Sequence, residues 1–285
     1  MTSTPQRIAY VLGGGGVLGA TQIGALRALV EAKVRPDLVL GTSIGAINGA
    51  FIAADPTASG VAALADLWTS FGSGRGMLES GARSGGGRRW RPSHLRTSLY
   101  SPGPVLRVLR AQLPVTDFDE LTVPFQCVAA NVERAVAHWF DSGPLAEAVM
   151  ASCSVPGLFP PMRIGDESFL DGGLVHSIPV GRAVALGATD IYVLQVGRVE
   201  QPLSPPRWPW QVGQVTFEIA RRHRYMEEIA SVPGDVRLHV IPTGTDDAPM
   251  VSLLHLKQSF VRDRIESAYN AACVYLDAQR SDDDR

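Results

Sequence analysis

Gly41-Thr42-Ser43-Ile44-Gly45 is a G-x-S-x-G sequence. It lies between residues 38–41, which read as a strand, and residues 44–54, a small-residue apolar run that reads as a helix and stops at Asp55-Pro56. A serine at a strand-to-helix turn is the setting in which this pattern acquires chemical meaning. Gly41 and Gly45 remove Cβ atoms that would collide across a tight turn, and the turn presents the hydroxyl of Ser43 at the carboxyl edge of a sheet and the N-terminus of a helix. Ser43 is therefore a candidate nucleophile. The plainer alternative is that it only caps the helix.

A nucleophilic serine needs donors for the oxygen that becomes negative, and a base for its own proton. Gly13 to Gly16 are four consecutive glycines after a short β-rich run, residues 8–12, and before apolar residues at helical spacing, Ile23, Leu26, Leu29 and Val30. Gly14, Gly15 and Gly16 offer a side-chain-free backbone whose N–H groups can point at an oxyanion. The same stretch, through Gly19, also satisfies G-x-G-x-x-G, so a dinucleotide loop is the competing reading. Against it, Asp37 stands at the start of the second strand, where a ribose-binding acid belongs at its far end.

Six histidines, His94, His138, His176, His223, His239 and His255, are candidates for the base, and His176 or His239 would fit a Ser-Asp-His order. Only one strand precedes the serine-bearing strand, which is too few for the common triad-bearing α/β hydrolases. Asp171, in Leu170-Asp171-Gly172-Gly173, ends an extended segment and is followed by two glycines that allow close packing. A directly bonded Ser43–Asp171 dyad is chemically sufficient, although Asp-Gly-Gly can also be a simple turn.

These residues need an α/β scaffold to position them. Two strand-turn-helix units in succession imply a parallel sheet covered by helices. Residues 70–104, rich in Gly, Ser, Arg and Pro, are expected to form a long mobile loop. Further elements are read as helices at 104–112, 144–151, 180–186, 212–230 and 253–278, and as strands at 125–131, 135–140, 191–196 and 236–241. An extended segment leads to Leu170. One domain over residues 1–280 with a frayed tail at 281–285 is expected.

A formal net charge of −2 excludes the strongly basic footprint of a nucleic-acid binder. Cys127, Cys153 and Cys273 are widely spaced in apolar surroundings, so buried thiols are expected, with no metal and no cofactor. The short polar N-terminus and the lack of an apolar run of about 18 residues point to a soluble, cytoplasmic protein. Arg88-Arg89-Trp90-Arg91 and Arg207-Trp208-Pro209-Trp210 pair cations with interfacial aromatics, which suits a peripheral membrane contact. Oligomeric state is not legible.

The glycine run with Leu12, then Gly41 to Asn48, then Ala151-Ser152-Cys153-Ser154-Val155-Pro156-Gly157-Leu158-Phe159-Pro160-Pro161, then Asp171-Gly172-Gly173, resemble in order and spacing the patatin-like phospholipases. The resemblance covers roughly the first two thirds of the chain. It implies a three-layer α/β/α sandwich with a mainly parallel sheet, a Ser–Asp dyad at Ser43 and Asp171, an oxyanion loop at Gly14, Gly15 and Gly16, and hydrolysis of fatty-acyl esters of lipids. The alternatives it leaves are an acyltransferase using the same acyl-enzyme, or a weakly catalytic lipid-binding protein. One position departs: the family commonly carries Arg or Lys just before the glycine that follows the loop, and here Leu18 precedes Gly19. If that cation orders the loop or meets an anionic head group, its absence bears on phospholipids more than on uncharged esters and leaves the dyad chemistry untouched.

Overall fold

The computed structural model describes residues 6–72, 98, 100–197, 202–245 and 258–283. Most of the loop expected at 70–104, the segment Arg88 to Arg91, His94 and His255 lie outside the described residues. At the loop's two ends the expectation is corrected, because helix continues to Gly72 and begins again at Pro102.

Among the described residues eight strands form one sheet: β1 (Ile8–Leu12), β2 (Leu38–Thr42), β3 (Phe125–Asn131), β4 (Val136–Phe140), β5 (Met162–Ile164), β6 (Glu167–Asp171), β7 (Asp190–Leu194) and β8 (Arg237–Val240). The order is β5-β6-β3-β2-β1-β7-β8, with β4 also paired to β3. β3, β2, β1, β7 and β8 run parallel, whereas β4, β6 and β5 pair antiparallel. Strands buried on both faces read as continuous apolar runs, and β1 (Ile-Ala-Tyr-Val-Leu) is one.

Side chains alternate between the two faces of a strand. Tyr10, Leu12 and Val39 join one apolar core, and Ala9, Val11, Leu38 and Leu40 join another. Over the first face lie α1 (Ala20–Glu31), α2 (Ile44–Ala54), α3 (Ala58–Gly72), α4 (Pro102–Gln112), α5 (Leu145–Ser152) and α8 (Gln258–Asp283). Over the second lie α6 (Val180–Ala185) and α7 (Pro209–Ala230), with Val180, Ala183 and Tyr225 in its core. These are the three layers that the resemblance to the patatin-like phospholipases implies.

Three features depart from the sequence reading. α3 lies where no element was expected. The extended segment before Leu170 is a hairpin, β5 and β6, turning at Gly165 with φ 60°. Ser281 belongs to α8 instead of a frayed tail, because the helix reaches Asp283. Cys127 and Cys153 are buried free thiols and Cys273 is half-buried. Burial pushes the first two well above the ordinary thiol range. Among the described residues no helix is long and apolar enough to cross a membrane.

Candidate active site

The chain reverses direction across the sheet at β1, whose neighbours are β2 on one side and β7 on the other. A crevice opens at such a switch point, at the carboxyl ends of the strands. Leu12 pairs with Gly41 and with Leu194, so the glycine run after β1, the serine turn after β2 and the segment after β7 all leave from one edge.

Ser43 adopts φ 55° and ψ −123°, a left-handed conformation that a residue with a Cβ rarely occupies. Its neighbours hold it there. A Cβ on Gly45 would stand 2.2 Å from the Leu12 carbonyl oxygen, and one on Gly41 would stand 2.5 Å from that of Gly45. The strained turn closes only because both positions are glycine.

How Asp171 reaches Ser43 follows from pairing along β3. β4 occupies one edge of that strand from Cys127 to Asn131. On the other edge β2 pairs as far as Thr42 with Val128, and β6 takes over with Asp171 beside Ala129. The two strands approach end to end, and Ser43 and Asp171 are the residues at their tips.

The Ser43 hydroxyl donates to Asp171 Oδ2 at 2.6 Å, and the other carboxylate oxygen accepts the Gly173 N–H at 2.7 Å. The block from Ala151 to Pro161 fastens both partners. Ser152 Oγ accepts the Ser43 N–H at 2.9 Å, and the Ser154 carbonyl accepts the Asp171 N–H at 2.9 Å. Ser43 is 9% exposed and Asp171 2%. Burial pushes the Asp171 carboxyl up to about 6, against the opposing influence of the Ser43 and Gly173 hydrogen bonds and the Arg221 charge.

Gly14 lies against the serine, where a Cβ would stand 3.3 Å from Ser43 Cβ, but its N–H is committed to the Ser177 carbonyl at 2.9 Å. Gly13 donates to the Leu194 carbonyl at 3.1 Å. Among the described residues, the N–H groups of Gly15 and Gly16 have no acceptor. Gly16 has φ 59° and opens a single 3-10 turn, Gly16–Gly19, ahead of α1. Gly15 must be glycine for space, since a Cβ there would fall 1.8 Å from Val196 Cγ2. Leu18 is buried in the first core, so the loop carries no cation at that position.

Sequence reasoning missed what anchors this loop. Gln22 Nε2 donates to the Gly13 and Leu194 carbonyls at 2.9 and 2.8 Å, Asn48 Nδ2 to Gln22 Oε1 at 2.7 Å and to the Gly19 carbonyl at 3.0 Å, and Trp68 Nε1 to Asn48 Oδ1 at 2.9 Å. Polar residues inside otherwise apolar helices were the available signal. His176 sits nearby, but its ring nitrogen Nδ1 contacts Glu228 at 2.7 Å and its backbone carbonyl accepts the Thr42 hydroxyl. His239 stacks on Tyr192 and contacts Asp190. The hydroxyl of Ser43 faces a carboxylate with no histidine between them.

Chemically, this is a serine oxygen on a strained turn, bonded to a buried carboxylate beside unpartnered backbone donors, which is the equipment for nucleophilic attack on a carbonyl. A family model described as patatin-like phospholipase matches residues 10–184. The chain belongs to that family. Lysophospholipase NTE1 of Phaeosphaeria nodorum is 32% identical over 198 residues, which are 68% of this chain and 12% of that protein. Patatin-like phospholipase domain-containing protein 6 of Homo sapiens is 30% identical over 200 residues, 70% of this chain and 14% of that protein. The chain therefore corresponds to about an eighth of the length of these relatives. Among solved structures, VipD from Legionella pneumophila superposes with a TM-score of 0.46 at 15% identity, covering 97% of this chain and 68% of that one, a partial likeness from which no chemistry follows.

Proposed function

We propose that this protein is a serine acyl hydrolase that cleaves fatty-acyl esters of lipids through Ser43 and Asp171. The observation that carries the proposal is the 2.6 Å hydrogen bond from the hydroxyl of a left-handed serine to a buried carboxylate. The names of the relatives make lysophospholipids the first substrates to try.

In this mechanism Ser43 Oγ bonds to the ester carbonyl carbon while its proton passes to Asp171 Oδ2. The carbonyl oxygen becomes an oxyanion, met by the N–H groups of Gly15 and Gly16 with the N-terminus of α2 behind. Gly14 contributes shape, by letting the loop lie against the serine. Collapse breaks the bond to the leaving alcohol, which takes the proton from Asp171, and the acyl group remains on Ser43. Water then attacks, Asp171 again accepts the proton, and the fatty acid leaves with Ser43 restored. A carboxyl near 6 is largely ionised at pH 7 yet still basic enough to accept a proton.

Arg207 is exposed and Trp208 is 57% exposed at the start of α7, followed on that helix by the exposed Val212, Ile219 and Met226. Aromatic, apolar and cationic groups together support a peripheral contact with a lipid surface.

The test is a panel of lysophospholipid, diacylphospholipid and neutral acyl esters, with the Ser43→Ala and Asp171→Asn proteins as blanks and a fluorophosphonate probe to mark the nucleophile. Hydrolysis by the wild type, lost in both variants, with the probe on Ser43, is expected. Hydrolysis that survives Asp171→Asn would refute the dyad.

A further inference from the structure

α7 lies beyond residues 10–184, the stretch that the family model matches, yet it packs over the turn that carries Asp171. Phe217 stands against Gly173, where a Cβ would be 2.9 Å from its ring, and Gly173 is the residue whose N–H binds Asp171. Four residues on, and so on the same face of the helix, is Arg221. Its side chain is 12% exposed and its Nε is a buried donor with no hydrogen-bond partner. One terminal nitrogen donates to Glu218 at 2.8 Å and the other to Ser177 Oγ at 3.3 Å. The carbonyl of that same Ser177 accepts the Gly14 N–H. A single guanidinium thus reaches towards both halves of the site.

We propose that Arg221 is a positioning residue of the site, whose guanidinium holds the buried Asp171 carboxylate in its charged, proton-accepting form and braces the glycine loop through Ser177. Burial alone would favour the protonated acid, which cannot take the proton from Ser43. An opposite charge fixed under the same cover acts against that preference, adding to the larger effects of the Ser43 and Gly173 hydrogen bonds. Among the described residues, the other groups around Asp171 do not supply a cation in this way. Cys127 and Cys153 are buried thiols whose ionisation is suppressed. On β4, His138 packs its ring against Phe140 and Phe169. The His176 ring is held by Glu228, and Arg222 shares Glu218 with Arg221. With Leu18 buried in the core of the glycine loop, Arg221 is the cation that α7 brings to the dyad.

This inference rests on the dyad reading above, and the experiment separates the two. The rate of Ser43 labelling by a fluorophosphonate is measured from pH 5 to 9, which requires no knowledge of the natural substrate. The wild-type rate is expected to rise through pH about 6 and level off above. In Arg221→Gln the rise moves up by about one pH unit, so labelling is about fivefold slower at pH 6 and nearly unchanged at pH 8. Arg221→Lys keeps the wild-type profile, and Glu218→Gln, which removes the competing carboxylate, moves the rise the other way. These two variants decide the matter if melting curves show Arg221→Gln to be unfolded.

A uniform loss of rate across pH in folded Arg221→Gln, or wild-type profiles in all three variants, overturns the role of Arg221 while an inert Asp171→Asn leaves the dyad intact. Wild-type labelling in Asp171→Asn would instead overturn the dyad.

Discussion

Replacing Asp171 with Asn should remove activity and make the protein more stable. A carboxyl of about 6 in the folded chain, against 3.8 for an exposed aspartate, means that ionising Asp171 inside the protein costs about 3 kcal/mol at neutral pH. Because the folded-state value is raised, that cost is absent below 3.8, grows as pH rises, and is complete above about 6. An asparagine carries no charge. Its oxygen can still accept the Gly173 N–H, and its amide can face Ser43 Oγ, so the change in hydrogen bonding offsets only about 1 kcal/mol. The net gain of about 2 kcal/mol corresponds to a rise in Tm of about 4 °C for a chain of this size at pH 8. Thermal melts of wild type and Asp171→Asn at pH 8, 6 and 4.5 should show the difference shrinking as pH falls. An Asn variant no more stable than wild type at pH 8, or an offset independent of pH, would refute the view that a desolvated carboxylate stores strain in this site.

Three further outcomes are expected. Gly15→Ala places its Cβ on Val196 Cγ2 and should lower kcat more than it changes KM, by up to about 3 kcal/mol of transition-state stabilisation; Val196→Ala in the same chain should recover part of the loss, and no recovery would argue against a steric cause. Asn48→Ala removes the hydrogen bonds that its side chain makes with Trp68 Nε1, Gln22 Oε1 and the Gly19 carbonyl and should destabilise the fold by about 3 kcal/mol, read from urea unfolding; a change under about 1 kcal/mol would mean that the network does not anchor the loop. Trp208→Ala should weaken co-sedimentation with anionic liposomes at low salt, and equal binding by the two proteins at every ionic strength would remove this edge of α7 from membrane contact.

The parts of the molecule that periodicity and turn chemistry specify were legible in the sequence. β1, β3 and α2 have the expected bounds, because each is a largely apolar run ended by a glycine, a polar residue or Asp55-Pro56. Ser43 and Asp171 could be picked out because each is flanked by glycines that a solvated turn does not require. The β5–β6 hairpin was not legible as two strands, since Pro160-Pro161 before it and Asp166 inside it interrupt any alternation. α3 was not legible because its apolar residues, Val61, Leu64, Leu67 and Trp68, are set among small residues between Asp55-Pro56 and the Gly-, Ser- and Arg-rich stretch that follows. The commitment of the Gly14 N–H to Ser177, the hydrogen bond of Arg221 to the same Ser177 and the packing of Phe217 on Gly173 all depend on which elements become neighbours, and that is decided by the crossing of β7 to the far side of β1.

The end-to-end approach of β2 and β6 along β3 has a consequence for the order of events during synthesis. Ser43 and Asp171 are separated by 128 residues, so at ordinary translation speeds about ten seconds pass between the emergence of the serine and that of its partner. Through that interval the hydroxyl has no carboxylate beside it, and on the proposed chemistry it is inert. The β5–β6 hairpin must then dock against β3 before the pair exists. A nascent chain beside a membrane is thus harmless to it until most of the sheet has assembled, and any truncation before β6 yields a chain that carries the serine without its carboxylate.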